Sequence, residues 1–476
     1  MLSRVVRFAG TVGSAEAGGF IYLPFNVPEW ARTIEVEYSY RGLGPGECTV
    51  DIGVFEPGPL DLIEAMTNFR GWSGSSRRSF YISESSATPG YLPGPLKPGV
   101  WHIVLGLYKI PAEGCAYEVV VRVSDAPRSG GQQLRAASNV CRRRGWVKGD
   151  FHVHSVHSDG DSTLEEVAGR ARERGLDFVA VTDHNTHSHI AQMGSGWVGG
   201  VLLVRGVELT TYRGHLNVYG FLSTPEFRIR SYKDLLRVVE QLRGRGALIS
   251  VNHPKPLGPD WEWGSIGFAH FVEVYHSVWG FNNYISLKKW DEELRRGLKL
   301  GLVGGSDVHK LKSDAGVSRI GSPTTWLHVD ELSEKGVLEA LLRQRVFVSE
   351  DPSGPRVMLQ LQHGQTLYQL GDSAPAARSF AIVRVDRGEG RLARLVSDSG
   401  VEHVCKVQGD PYVERLEVDL RDRAFLRLEV LNYCEDPWDP YHRENDIAAI
   451  TAPILIEHQH ENCPALSELA RHHAGG

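Results

Sequence analysis

The sequence predicts a multidomain chain, α/β in its middle and all-β on either side. Three observations carry this. At 476 residues the chain is too long for one ordinary core. Short β-prone runs separated by Gly- and Pro-rich turns fill both ends. Between them, apolar β runs alternate with amphipathic helical runs, the pattern of a parallel sheet covered by helices.

Residues 1–140 hold FIYLPFNV, TIEVEYSY, CTVDIGVF, WHIVLGLY and AYEVVVRV, spaced by turns such as RGLGPGE and KPGV, and this spacing reads as a β-sandwich-like domain. A polar connector, SDAPRSGGQQLRAASNVCRRRG, leads away from it. Residues 146–350 carry the β runs GDFHVH, FVAVTDH, VLLVRGVEL, ALISVNHP, FVEVYHS, LVGGSDVH and TTWLHV. Helical runs lie between them; STLEEVAGRARERG opens with a capping box at Ser162 and Glu165 and stops at Gly175. Repeated units of this kind predict a closed or nearly closed (β/α) barrel, with HLNVYGFL as a hairpin arm on the third strand. Alternating runs return in residues 352–460, among them RVMLQLQ, SFAIVRV and FLRLEVLN, as a second β-sandwich-like domain. Residues 461–476 read as a surface tail, and His458 and His460 just before it, like His472 and His473 within it, read as solvated.

Composition narrows the function. The net charge of −6, from 52 Lys and Arg against 58 Asp and Glu, leaves no basic footprint for nucleic acid as a bulk partner. No apolar run approaches the length of a membrane span. Arg4 and Arg7 interrupt what would be the apolar core of a signal peptide, so a cytoplasmic location is expected. Six cysteines, Cys48, Cys115, Cys141, Cys405, Cys434 and Cys463, show no CxxC spacing and read as isolated reduced thiols.

The unusual residues fall at strand ends. In a parallel barrel, functional side chains gather at the carboxyl ends of the strands. FHVHSVHSDGDS supplies His152 and His154, two apart and therefore on one face, with Asp159 in the following loop. Later runs end in Asp183 and His184, in Glu208 with His215 at the hairpin, in His253, and in Asp307 and His309. One strand-end His is an ordinary rim residue, but this convergence points to metal. Mixed His and carboxylate sets suit Zn, Mn or Fe better than Ca or Mg. His157 and Asp161 read as packing and turn residues, and Asp183 as a group orienting a ligand His.

HVHSVHSDG, TDH, GVELT, GHLN, NHP and GSDVH resemble the motif series of the PHP (polymerase and histidinol phosphatase) metallohydrolases. IGSPTTWLHV and AITAPILIE look like its CehA/McbA-type branch. The resemblance implies a distorted (β/α)7 barrel and a site for two to three divalent ions. By motif, His152, His154, Glu208 and Asp307 would hold the first ion, Glu208, His215 and His253 the second, and Asp159, His184 and His309 the third. Asp159 stands where some relatives carry His. Glu208, Asp307 and His309 are the candidate catalytic residues.

No nucleophile elbow, P-loop or dinucleotide fingerprint is present, so water is the expected nucleophile, as a hydroxide bridging two ions. Three divalent ions outweigh the charge of Asp159, Glu208, Asp307 and one hydroxide, which favours a small anionic substrate, a phosphomonoester or phosphodiester. Lys255 and Arg319 either bind that substrate or are ordinary surface charges. Tyr212, Trp261, Trp263, Tyr275 and Trp279 either form an aromatic lip or pack the loops. Two other readings stay open: hydrolysis of a carbamate or carboxylic ester, as in the CehA/McbA type, and a non-catalytic binding module. The β domains are expected to shape access to the barrel and to hold no His and carboxylate cluster of their own.

Overall fold

The computed structural model describes residues 2–61, 65–128, 143–256, 260–312 and 317–458. Cys141, Cys463, His460, His472 and His473 lie outside the described residues.

The N-terminal region forms two four-stranded antiparallel sheets. One orders Ser3–Val12, Cys115–Ser124, Thr33–Gly42 and Ser79–Ser83; the other orders Phe20–Val27, Gly99–Lys109, Thr49–Phe55 and Phe69–Gly74. Alternation builds the core between them: Ile34, Val36 and Tyr38 point inward while Glu37 stays exposed. They meet Ile52, Trp101, Ile103 and Val119 in one apolar cluster. Each such aliphatic side chain stabilises the fold by roughly 1.5–3 kcal/mol through burial.

Two of the expected free thiols are joined here. Cys48 and Cys115 form a disulfide with Cα atoms 6.1 Å apart, although 67 positions separate them. Pairing of Thr33–Gly42 with Cys115–Ser124 sets Gly42 against Cys115 and brings the two sulfurs together. The reduced-thiol support for a cytoplasmic location is thereby removed. Cys405 and Cys434 are free.

The middle of the chain is a curled run of seven strands in the order Gly301–Gly305, Phe271–His276, Leu248–Val251, Gly214–Tyr219, Val201–Thr211, Phe178–Val181 and Gly145–Val153. Its two ends come together. Val153 bridges Val308 in parallel, and the backbone N–H of Asp307 donates to the carbonyl of His152 at 2.8 Å. The buried carboxylate of Asp150 accepts from the N–H of His152, Ser306 and Gly321, at 3.1, 3.0 and 2.7 Å. Burial pushes its pKa up to about 6, against those hydrogen bonds.

This arrangement differs from a regular (β/α) barrel in three ways. HLNVYG is an integral strand, antiparallel to both neighbours, because the tight reversal after Thr211 leaves no crossover. TTWLHV runs antiparallel to both Gly145–Val153 and Val346–Ser349, so it belongs to the extension of the sheet. Helices are also fewer than strands among the described residues: Leu164–Glu173, Tyr232–Gly244, Asn283–Arg295 and Glu334–Leu342. The first is capped by Thr163 and Glu166, one position later than predicted, since Ser162 Oγ is engaged with Asp161.

The sheet continues into the C-terminal region through Val346–Ser349, Asp446–Thr451, Phe425–Tyr433, Leu392–Ser397 and Gly400–Lys406. A four-stranded sheet of Thr366–Tyr368, Arg356–His363, Arg378–Asp386 and Tyr412–Asp419 packs on it around Leu359, Val383, Leu395 and Leu428. The expected boundary after residue 350 is therefore crossed by strand pairing, and Ala449, Ile450 and Thr451 pair directly with Ser349, Val348 and Phe347. One apolar cluster contains Phe55 and Trp72 from the N-terminal sheets, Phe151 and Phe178 from the middle, and Phe425 and Ile447 from the C-terminal sheet. Among the described residues no helix is long and apolar enough to cross a membrane.

Candidate metal centre

The carboxyl ends of the central strands converge on Glu208, which is fully buried. Five imidazoles surround its carboxylate. His184 Nδ1 lies 2.7 Å from Oε2, His215 Nδ1 3.1 Å from Oε1, His152 Nε2 3.3 Å from Oε1, His154 Nε2 3.5 Å from Oε2, and His253 Nε2 3.6 Å from Oε1. Asp307 forms the second carboxylate focus: Oδ1 lies 2.9 Å from His154 Nε2 and 3.3 Å from His152 Nε2, and Oδ2 lies 3.1 Å from His276 Nε2. Asp159 Oδ1 faces His309 Nε2 at 3.3 Å and His184 Nε2 at 3.6 Å. The ring of His154 is sandwiched between those of His184 and His309, at 4.3 and 4.1 Å.

These side chains fit a metal. Two atoms bound to one tetrahedral ion at about 2.1 Å lie roughly 3.4 Å apart, longer than an ordinary hydrogen bond. Most of the separations above fall near that value. His152 Nε2, His154 Nε2, His215 Nε2, Glu208 Oε2 and Asp307 Oδ1 are buried yet make no well-aligned hydrogen bond, although His184 Nδ1 and His154 Nε2 approach the two carboxylates to 2.7 and 2.9 Å. Such orphaned atoms are costly unless something else satisfies them.

Electrostatics prepares the site. Burial opposes charge on Glu208 and Asp307, yet the surrounding imidazoles hold both carboxyls well below their ordinary range. His154 is pushed down to about 4 by burial and by its His309 and His184 neighbours. Burial also disfavours the charged forms of His184 and His309, but carboxylates outweigh it: Glu208 and Asp159 raise the first to about 9, and Asp307 and Asp159 the second to about 10.

Backbone strain marks the same ends. Asn185, His253, Ser277 and Asp307 have positive φ values of 49°, 29°, 52° and 53° and follow their strands at the site. Asn and Asp tolerate this conformation, whereas His253 and Ser277 hold it only where their surroundings enforce it.

All nine predicted ligand residues come together; His152, His154 and Glu208 group as the motifs partition them, and the other groups overlap or cross that partition. His154 joins Asp159, His184 and His309; His184 and His215 share Glu208; His253 lies with His276 and Asp307. His276 and Glu273 were missed. Glu273 Oε1 pairs with His152 Nδ1 at 2.9 Å, and Oε2 accepts from the N–H of His253 at 2.9 Å. Strand periodicity places residues 273 and 276 on opposite faces. A register shift between Glu273 and Tyr275 turns both inward, which the bare sequence does not announce.

Lys255 and Arg319 are placed differently from the expected substrate ligands. Lys255 is buried with Nζ donating to Asn283 Oδ1 at 2.7 Å, and burial lowers its pKa to about 7. Arg319 lines a separate groove with Trp279 and Asp351. Neither lines the cavity beside His184 and His215. Trp261, Trp263, Tyr275 and Trp279 are buried and pack the loops; only Tyr212 reaches the cavity. His157 is buried against Ser188 Oγ at 2.7 Å, away from the ligand groups. Asp161 accepts from the N–H of Leu311 and Lys312 as a turn residue. Asp183 accepts from Ser155 and Ser158, and Ser158 Oγ lies 3.5 Å from His154 Nδ1, so Asp183 reaches the ligand indirectly. His458 Nε2 contacts the carbonyl of Arg423.

The C-terminal domain holds a cluster where none was expected: ligand atoms of His403, Cys405 and Glu414 lie within 4.8 Å of one another. Its members sit on edge strands of different sheets, a proximity that sequence spacing does not reveal.

Comparison with known proteins finds partial similarities. Phosphoribosyl 1,2-cyclic phosphate 1,2-diphosphodiesterase of Eggerthella lenta is 41% identical over 64 residues, 13% of this chain and 24% of that protein. DNA polymerase/3'-5' exonuclease PolX of Bacillus subtilis is 33% identical over 66 residues, 13% of this chain and 12% of that protein. The chain thus spans about a quarter or less of the length of these relatives. Among solved structures, a two-domain protein of Bacteroides vulgatus containing a predicted PHP-like metal-dependent phosphoesterase is 19% identical, with a TM-score of 0.37, over 68% of this chain and 100% of that one. An amidohydrolase of Chromobacterium violaceum is 18% identical, with a TM-score of 0.24, over 35% and 89%. The model of the PHP domain matches residues 150–244. His152, His154, Asp159, His184, Glu208 and His215 lie within the matched residues.

Proposed function

We propose that the protein is a metal-dependent hydrolase that cleaves a small phosphate ester. The observation that carries this reading is the set of buried, unpartnered imidazole and carboxylate atoms around Glu208, at separations suited to shared ions. His152, His154, Glu208 and Asp307 would hold one ion and His215, His253 and Glu208 a second. His184, His309 and Asp159 would hold a third. Bound Zn, Mn or Fe supplies a lowered water pKa and polarisation of a phosphoryl oxygen.

The chain's own groups do the positioning. Glu208 joins the subsites and fixes their spacing. Glu273 holds His152 through Nδ1 and leaves Nε2 directed at Glu208 and Asp307. Asp307 would accept a proton from the attacking water. Where the third subsite stays empty, His309 Nε2, facing Asp159 at the rim, would instead return one to the leaving oxygen. The adjoining cavity of about 270 Å³ suits a small substrate.

The experiment is an assay of the metal-loaded protein against a phosphomonoester, a phosphodiester and a neutral aryl ester or carbamate. Metal-dependent turnover of a phosphate ester, competitively inhibited by inorganic phosphate, is the expected result. Turnover of the neutral substrate alone, insensitive to phosphate, would replace this reading with carbamate or ester hydrolysis. Binding without turnover of any substrate would leave a non-catalytic module.

A further inference from the structure

The cavity beside His184 and His215 is walled in part by another region of the chain. Asp51, Trp72, Ser75, Ser76 and Tyr108 of the N-terminal region line it together with Asp159 and Tyr212. This wall is built and fixed. The ring of Tyr212 stacks between Phe20, at 5.8 Å, and Tyr108, at 4.9 Å. Its hydroxyl donates to Asp51 Oδ2 at 2.7 Å. Gly106 pairs with Asp51 in the sheet, and a Cβ there would meet that hydroxyl at 2.1 Å, so the glycine makes the insertion possible. Arg77 clasps the loop after His154 by donating to the carbonyls of Ser158 and Val156. Thr186 Oγ1 donates to the carbonyl of Gly90, and the N–H of Gly90 to Ser188 Oγ, at 2.8 and 3.0 Å.

The chemistry of this wall is selective. Among the described residues no Lys or Arg lines the cavity, and Asp51 adds a carboxylate to it. A second anionic group on the substrate would find repulsion and no cation there. Hydroxyl groups would find acceptors and donors in Asp51 and Ser75, and Trp72 and Tyr108 offer apolar faces to ring carbons. At about 270 Å³ the space suits one ring.

We propose that the N-terminal β domain completes the active site, its wall of Asp51, Trp72, Ser75 and Tyr108 binding an uncharged, hydroxyl-bearing group esterified to the phosphate. This rests on the phosphoesterase reading above.

The test compares ribose 5-phosphate with p-nitrophenyl phosphate, which lacks hydroxyls, on the full metal-loaded chain. Asp51→Asn keeps an acceptor for Tyr212, and Ser75→Ala touches neither Tyr212 nor the sheet ladder. Each is expected to raise KM for ribose 5-phosphate about tenfold while p-nitrophenyl phosphate changes by less than about twofold. Equal losses on both substrates, or none on either, overturn the proposal. If Asp51→Asn does not fold, Ser75→Ala decides alone. If the wild type hydrolyses neither of these monoesters, the phosphoesterase reading falls when the phosphodiester is left intact as well. Calorimetry then decides the subsite: tighter binding of ribose 5-phosphate than of inorganic phosphate, lost in Ser75→Ala, sustains it, and equal binding overturns it.

Discussion

Glu273 grips His152. Its Oε1 lies 2.9 Å from the ring Nδ1 while Oε2 accepts from the N–H of His253, so one carboxylate orients two expected ligands. Partners of this kind set ring orientation and basicity, and their loss typically weakens metal binding about 10–100-fold. Glu273→Gln should lower affinity by that order in a chelator competition, with little change in circular dichroism. Unchanged affinity would reduce Glu273 to a packing residue.

Glu208 faces five imidazoles, so no other side chain repairs its loss. Glu208→Gln should release at least one ion per chain in elemental analysis and abolish turnover. Full metal content would show that the histidines and Asp307 suffice.

Metal uptake should release protons. Without metal, His184 and His309 titrate near 9 and 10, above the ordinary 6.5, so both are protonated at neutral pH. Their ion pairs stabilise the metal-free fold fully below about 6.5, and that contribution is lost as pH rises through about 9 to 10. Metal requires the neutral rings, so affinity should climb over the same interval. An indicator dye in weak buffer measures the release; uptake with no protons displaced at pH 7 would remove both rings from the ligand set.

The Cys48–Cys115 disulfide should stabilise the N-terminal sheets by about 2–4 kcal/mol. Cys115→Ala or strong reductant should lower the unfolding temperature and spare metal content. An unchanged transition would mean that the bond constrains little.

A buried ionic network ties the C-terminal sheet to the centre. Arg427 pairs with Asp291 on the Asn283–Arg295 helix and with Glu429, all wholly buried. Asp291→Ala leaves part of that charge uncompensated and should cost about 3–5 kcal/mol in chemical denaturation. For the same reason, and because the main apolar cluster spans all three regions, a 146–350 fragment should aggregate. A soluble, fully active fragment would show independent modules.

The sequence by itself determined the β–α–β succession, most strand positions and the chemical class of the centre. Period-two alternation in TIEVEYSY, the His152 and His154 spacing, and carboxylates closing β runs are local signals, and local signals survive in a linear string. Tertiary structure decided what depends on approach between distant segments. The bulge that turns Glu273 and His276 inward, the joining of Cys48 to Cys115, the burial of Lys255 against Asn283, and the entry of Asp51 into the cavity all arise where separate sheets meet. The physical reason is that strand register and domain docking are set by the summed burial of whole faces. A side chain's direction at such a junction is therefore a property of the assembled core, and no spacing in the chain encodes it.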